Sequence, residues 1–572
     1  MTDDRLDPGL SRRRFLAQAA GVATPALLFP GALRAEMRAS GAQDLTAEMI
    51  LHAAKVAGLE LTREEAEGMV EDVANHFERY REIDEYPLDN GVPLPFHFDP
   101  RVPGVEVERP DGRFRWSEPA VERPSRLEDV AFWSVPRLAG LIQTRQVTSL
   151  ELTEMYLERL RRFNPVLNCV VNLTPELARE EARRADAELA EGRYRGVLHG
   201  IPYGVKDIIA VRGYPTTWGA APWKDRVIDT DATVIRRLRD AGAVLVAKLA
   251  TGELAFGDQW FGGRTNNPWA PEEEGSSGSS AGPASATAAG LVGFAIGTDT
   301  GGSISSPSER CGVVGLRPTF GRVSRYGVMA AGTTLDKLGP MCRSPEGCAV
   351  VLHAIAGPDG QDLAVPDDMP VSWDAELDPR SLRIGYFRTG FDAEEDAEYR
   401  SHHERVLETL RSLGWNLTAL ELPTSALNFW VEYVERAAAF DEVVRSDLED
   451  QIRRMRIGPE MRGVFHLVSG VEYLQANRVR MLLMEEFARA TEDVDVVLSP
   501  RTTFQPQGLS LNPVTSFTGH PVVVVPGTLA RDGTPMGVMF VGKIYREGDL
   551  LAVARRYFEE TGFGDRHPPR FI

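Results

Sequence analysis

Between Gly275 and Gly315 the chain reads GSSGSSAGPASATAAGLVGFAIGTDTGGSISSPSERCGVVG, a stretch dense in serine, glycine and alanine. A serine hydroxyl attacks a carbonyl only when a base takes its proton and donors meet the oxygen that turns negative. Ser303 stands at the end of Gly297-Thr298-Asp299-Thr300-Gly301-Gly302. Glycines there let backbone N–H groups converge on a ligand oxygen without side-chain obstruction. The loop therefore predicts acyl chemistry at Ser303, with Asp299 as an acceptor that braces the loop rather than a catalytic acid. Ser-Gly runs are usually flexible linkers, but apolar segments bracket this one and it leads into a strand. Gly278-Ser279-Ser280-Ala281-Gly282 formally matches the G-x-S-x-G elbow of Ser-His-Asp esterases. That elbow needs a preceding strand, and the preceding NPWAPEEEGSS cannot form one.

Three segments here, GSSAGPASATAAG, GTDTGGSISSPS and GVVGLRPTFGRVS, resemble the signature segment of the amidase signature family of serine amidohydrolases. Upstream, GIPYGVKDIIAVRGYPTTWGA resembles that family's lysine motif and GRTNNPW its loop before the signature. Downstream, TTLDKLGPMCRSPEGCAVVLHAIAG and TGHPVVVVPG continue the likeness, which spans roughly residues 128–560. The resemblance implies a triad in which Ser303 is the nucleophile, Ser279 a relay serine following a cis peptide bond, and Lys206 the base. It implies an oxyanion hole built from the N–H groups of Thr300, Gly301, Gly302 and Ser303, with Ser280 in a supporting role. The activity implied is cleavage of the C–N bond of a carboxylic amide (linear, aryl or peptide amide, or carbamate) through a seryl acyl-enzyme. No cofactor and no metal is implied.

Two departures stand out. The family commonly has arginine directly after GGSI, where this chain has Ser305, and Ala281 and Pro283 replace a glycine and a small residue. A relay ending on lysine needs that lysine neutral, yet a solvated lysine has a pKa near ~10.4. Burial lowers it, and Val205, Ile208 and Ile209 offer an apolar environment, provided the Asp207 carboxylate turns elsewhere. Lys248 in AVLVAKLAT is the rival lysine, and reads as a strand-end residue whose head snorkels to water. His199 and His520 lie in segments near the site, each beside glycine as turn residues are.

Around these residues, helical patterns alternate with short apolar strands such as Ala243–Ala247, Leu291–Ile296 and Val496–Leu498. Alternation of that kind predicts an α/β fold. The expected architecture is a single large layered domain over residues 128–572, a mixed central sheet covered by helices on both faces. Pro283 suits the first turn of a helix that Ala284–Ala289 continue with small side chains. Thr148 with Glu151 caps a helix whose Leu152, Met155, Tyr156 and Leu160 share a face. Residues 87–127 carry eight prolines and predict an extended linker. Residues 36–86 predict a small N-terminal helical pair packed on the main domain. Thr46 caps its first helix, which ends at Gly58, and Thr62 with Glu65 forms a capping box for the second. Ala66, Met69, Val70, Val73, Phe77 and Tyr80 then form an apolar stripe. This segment resembles the small C subunit of the tRNA-dependent amidotransferase.

The chain has 572 residues and a formal net charge of −19. Such a surface repels phosphate backbones and anionic lipid, so the expected partner is a small-molecule amide, with no nucleic acid and no stable membrane insertion. The oligomeric state is left open. Ser11-Arg12-Arg13-Arg14-Phe15-Leu16, followed by an apolar run to about Phe29, reads as a twin-arginine export signal within residues 1–35. Export to the periplasm or beyond is expected. Cys169, Cys311, Cys342 and Cys348 read as small buried hydrophobes. Two alternatives remain beside the amidohydrolase: an A-type subunit of a tRNA-dependent amidotransferase, and a Ser-His-Asp esterase.

Overall fold

The computed structural model describes residues 45–572 apart from 57–58, 60, 76–89, 93–94, 424–428, 446–447, 449–450, 453–467 and 501–509. The expected export signal lies outside the described residues. The chain divides into two compact units, residues 1–88 with 457–473, and residues 89–456 with 474–572.

In the first unit, α1 (Ala47–Val56) and α2 (Arg63–Gly68) are the expected helical pair. Thr46 accepts the N–H of Met49, and the Thr62–Glu65 capping box closes in both directions. Leu45, Ile50 and Ala66 are buried together, with Val70 and Val73 against them. Met69 leaves the expected stripe. It is the C-cap of α2, where the backbone turns before helix resumes at residues 70–75, and its side chain is 39% exposed. Phe77 and Tyr80 fall outside the described residues.

The second unit is built on one mixed sheet of eleven strands. In chain order these are β1 (Val170–Leu173), β2 (Pro202–Lys206), β3 (Val244–Leu249), β4 (Phe294–Asp299), β5 (Val314–Arg317) and β6 (Lys337–Cys342). They continue as β7 (Ile384–Phe387), β8 (Leu417–Leu420), β9 (Val496–Ser499), β10 (Val522–Leu529) and β11 (Pro535–Gly542). Their spatial order is β8-β7-β9-β11-β10-β5-β6-β4-β2-β3-β1. Strands β3, β2 and β4 run parallel, and β4, β6, β5, β10 and β11 pair antiparallel. Every residue of β2, β3, β4, β5 and β6 is buried. Fully buried strands of this kind read as near-continuous apolar runs rather than alternating ones.

Helices layer the sheet, as the sequence predicts. α3 (Ser149–Leu167) and α4 (Pro175–Ala190) pack on β3, α5 (Ala281–Ala288) on β2, β3 and β4, and α6 (Ser305–Cys311) on β5, β10 and β11. α7 (Phe429–Ala439), α8 (Asn512–Thr518) and α9 (Glu547–Thr561) follow, with α9 against β10 and β11. The Thr148–Glu151 box starts α3, and Leu152, Tyr156 and Leu160 are buried. Among the described residues from 95 to 124, regular structure is confined to Phe114–Arg115, which pairs with Trp373–Asp374.

One boundary moves. The strand expected from Leu291 begins at Phe294, because Gly290 closes α5 with a φ of +64° and residues 291–293 turn back towards the sheet. It runs on through Gly297, Thr298 and Asp299, which sequence placed in the loop. Pairing with β6 holds them there, Thr298 opposite Leu338 and Asp299 opposite Lys337. Only Thr300–Gly302 remain as loop before Ser303. All four cysteines are buried and unbridged.

Candidate active site

The parallel register of β2 and β4, Val205 opposite Ile296, brings their carboxyl ends together at Lys206 and Thr298. Ligand sites in α/β sheets lie at such strand ends. Lys206 is fully buried, and its Nζ lies 2.8 Å from Ser279 Oγ, 2.8 Å from Thr298 Oγ1 and 3.5 Å from the Thr298 carbonyl oxygen. Hydroxyls and a carbonyl surround the amine, with no carboxylate at ion-pair distance among the described residues.

Ser279 follows a cis peptide bond from Gly278. Gly278 has to be glycine, since a Cβ there would sit 1.9 Å from the Gly257 carbonyl oxygen. The Gly252 N–H holds the Ser279 carbonyl at 3.2 Å. Ser280 then ties the two serine segments together: its N–H donates to the Ser303 carbonyl at 3.1 Å. Its hydroxyl donates to the Thr298 carbonyl at 3.0 Å and accepts the Thr298 N–H at 3.2 Å. Ser280, expected in a supporting role, makes these contacts, and α5 starts directly after it.

At the loop itself, Asp299 is fully buried and its carboxylate accepts the N–H groups of Gly302 and Ile304, each at 2.7 Å, and of Ser305 at 3.2 Å. Sequence expected an acceptor for the loop at this position, and these are the groups it accepts from. Burial works to raise its pKa, but nearby cations and these N–H groups outweigh that and hold it below the usual carboxylate range. Engagement of Gly302 corrects the expected oxyanion hole. With Gly302 turned inward at a φ of +130°, a conformation open to glycine, its N–H belongs to Asp299. The N–H groups of Thr300, Gly301 and Ser303 donate to no acceptor among the described residues. Gly301 is exposed and Ser303 half-buried, so this face of the loop opens to solvent.

Burial pushes the Lys206 pKa down to about 7, against the pull of Asp299 and Asp336, with Arg436 assisting. Val205, Ile208 and Ile209 are all buried, as expected of its apolar surroundings. Asp207 does turn away: it pairs with Lys248 at 2.8 Å and accepts from the N–H and hydroxyl of Thr217. Lys248 itself corrects the snorkelling expectation. It is fully buried, and beyond Asp207 it donates to the Pro215 carbonyl and Thr216 Oγ1, both at 2.6 Å. Neither histidine bonds to the serines. His199 Nε2 meets the Ala185 carbonyl at 2.8 Å, and His520 Nδ1 meets Thr518 Oγ1 at 2.8 Å. Burial and nearby Arg317 drive the His520 pKa to about 3, so its imidazole is neutral.

Several residues of the site carry no signal in the sequence reading above. Thr298 shares a face of β4 with Ile296, and strand alternation past Ile296 would have found it. Asp336 accepts the Thr300 hydroxyl at 2.6 Å. Glu432 on α7 approaches the loop, its Oε2 3.0 Å from where a Cβ on Gly301 would stand, and pairs with Arg436 at 3.2 Å.

The family model for amidases matches residues 151–551. The chain is 35% identical over 480 residues, 76% of this chain and 97% of the relative, to the A subunit of glutamyl-tRNA(Gln) amidotransferase from Acinetobacter baumannii. Among solved structures, the native peptide amidase of Stenotrophomonas maltophilia is similar with a TM-score of 0.68 and 30% identity, covering 78% of this chain and 99% of that one. An amidase family protein from Bacillus anthracis is similar at a TM-score of 0.68 and 26% identity, covering 77% and 93%. With its Ser-rich loop, buried lysine and mixed sheet, the chain belongs to the amidase family and is a hydrolase of amides.

Proposed function

We propose that the protein hydrolyses small linear carboxylic amides through a seryl acyl-enzyme on Ser303. The 2.8 Å contact between Lys206 Nζ and Ser279 Oγ carries this reading, because it gives a buried amine a serine hydroxyl through which to move protons. Ser303 Oγ attacks the carbonyl carbon. Its proton passes to Ser279 Oγ, whose own proton passes to Lys206 Nζ. The N–H groups of Thr300, Gly301 and Ser303 stabilise the oxyanion. Lys206 returns its proton through Ser279 to the leaving nitrogen, and water hydrolyses the ester that remains. Such hydroxyl contacts tighten when substrate binds, which suits Ser303, whose hydroxyl has no protein partner among the described residues. Peptide C-terminal amides are one candidate class, in view of the similarity to a peptide amidase.

A fluorophosphonate probe labels Ser303 in the native protein, and Ser303→Ala abolishes turnover of short aliphatic, aryl and peptide C-terminal amides. Labelling at Ser280 instead would overturn the assignment. The likeness to amidotransferase A subunits favours a second reading, release of ammonia from glutamine for a partner protein. Turnover of simple amides by the isolated chain, with glutamine a poor substrate, argues for the first. We also propose export through the arginine cluster. Changing Arg12 and Arg13 together to lysine retains the protein in the cytoplasm of a host with the twin-arginine pathway, and undiminished export removes the proposal.

A further inference from the structure

We propose that Arg317 is a positioning residue for the nucleophile loop: its guanidinium, anchored on α8, neutralises Asp299 and keeps the loop in the fold that leaves the N–H groups of Thr300, Gly301 and Ser303 unengaged. This rests on the Ser303–Ser279–Lys206 reading above.

Asp299 brings a carboxylate, fully buried, beneath the loop that has to stabilise a second negative charge during reaction. A buried anion persists only when paired. Arg317, the last residue of β5, is itself fully buried, with Nη1 3.3 Å from Asp299 Oδ1. The same nitrogen lies 2.8 Å from Asn512 Oδ1 and 2.6 Å from Ser516 Oγ, while Nη2 lies 2.6 Å from Thr515 Oγ1. All three anchors belong to α8. Ser305 closes the ring, its hydroxyl 3.1 Å from Asp299 Oδ2 and 3.2 Å from Asn512 Oδ1. From the other side α8 abuts the loop directly, since a Cβ on Gly302 would stand 2.7 Å from Asn512 Nδ2. The position after Ile304, where the family resemblance leads one to expect arginine, is here a serine, whose hydroxyl is uncharged. The cation comes instead from a strand.

Lys337 is the other cation near Asp299, but it does not replace Arg317. Burial, and then Arg317 itself, push its pKa well below the usual lysine value, and its Nζ reaches the Ser516 carbonyl at 3.3 Å rather than a carboxylate. A guanidinium stays charged where an ammonium gives up its proton.

The same charge reaches the base. The groups acting on Lys206 are Asp299 from β4, Asp336 ahead of β6 and Arg436 from α7; Asp207 is turned to Lys248. The groups acting on Asp299 are Arg317 from β5 and Lys337 from β6. Near them, His520 is neutral and Arg480 acts on Lys337. Without Arg317, Asp299 pulls harder on the Lys206 proton.

The test is the pH profile of kcat for a short amide in purified Arg317→Met and Arg317→Lys. For Arg317→Met we expect kcat to fall about 10- to 100-fold with KM within about 3-fold, and the rise of activity to move about one pH unit to the alkaline side. Arg317→Lys places its ammonium against the Asp299 carboxylate, the contact that Lys337 lacks, so it is expected to stay charged, with a profile near the parent's and much of kcat returned. A methionine variant with the parent profile, or both variants equally impaired with the profile unmoved, overturns the proposal. If Arg317→Met does not fold, the double variant Asp299→Asn with Arg317→Met, which removes both charges, is expected to fold with its rise at or below the parent's pH. A double variant no better folded than the single one overturns it as well. Fluorophosphonate labelling separates the two ideas: absence of label on parental Ser303 defeats the catalytic reading. Normal labelling with unmoved profiles defeats this inference alone.

Discussion

Lys206 and Lys248 stand on adjacent parallel strands of one sheet, in a register that sets Val205 opposite Lys248 and Lys206 opposite Leu249. Both are fully buried, and burial lowers the pKa of each. They part in their partners. Lys248 has the Asp207 carboxylate at 2.8 Å, which pulls its pKa back up and ties the ends of β2 and β3 together. Lys206 has two hydroxyls and a carbonyl, and its charge is opposed only at longer range. A carboxylate in contact makes a buried lysine a fixture, whereas hydroxyls leave it free to exchange its proton. The dipeptide Lys206-Asp207 achieves both at once, because the strand ends at Lys206 and the chain turns at Asp207, whose carboxylate goes to Lys248.

Removing each lysine is the hardest test of that contrast. Lys206→Ala is expected to lower kcat on simple amides by about 1,000-fold or more, within the range for loss of a general base joined to its nucleophile. Its thermal melt stays near the parent's, and turnover of activated esters, whose leaving group needs no proton, falls less. Lys248→Met strands a buried carboxylate, and urea denaturation should show a loss of about 3–5 kcal/mol. Adding Asp207→Asn recovers most of that. If instead Lys248→Met is stable and inactive, the roles of the two lysines are reversed.

With Lys206 as the proposed base, its proton exchange sets the expected pH dependence. A lysine held down near 7 is charged below that pH and neutral above it, so kcat/KM rises through about pH 7 and levels off above 8. A rise centred near the ordinary lysine value would mean that the amine is solvated. Thr298→Val removes an acceptor of the ammonium, so the rise moves to lower pH, by less than about one pH unit. Activity on the plateau falls about 3- to 10-fold, the worth of one hydrogen bond. The smallest effects are expected at His520→Ala and His199→Ala, which keep the midpoint and lie within about 3-fold of the parent. A histidine variant as inactive as Lys206→Ala would remove lysine from the centre of the mechanism.

Much of this is legible in the chain because the informative residues lie close together. Ser279, Ser280, Asp299 and Ser303 fall in one 25-residue run whose glycines announce close backbone approach. Helix caps are equally local, and Thr62–Glu65 and Thr148–Glu151 form as written. Sequence misleads where a neighbour in space decides. The length of β4 depends on pairing with β6, and the N–H of Gly302 goes to a carboxylate that also serves Ile304. Lys248 reads as a snorkelling residue because nothing local says that Asp207 faces it across the strand pair. Arg317 is unreadable for the same reason, since its anchors lie far along the chain.

That distance has a consequence for the order in which the protein becomes an enzyme. Lys206 is 73 residues from Ser279 and 92 from Thr298, while Arg317 is 195 residues from Asn512 and 199 from Ser516. A chain leaving the ribosome amino end first can gather the strands around Lys206 long before α8 exists. With Ser303 as the nucleophile, the proton path can be assembled early, while the seat beneath the serine waits for residues 195–199 positions beyond Arg317. The nascent chain therefore carries Ser303 before the helix that seats Arg317 has been made.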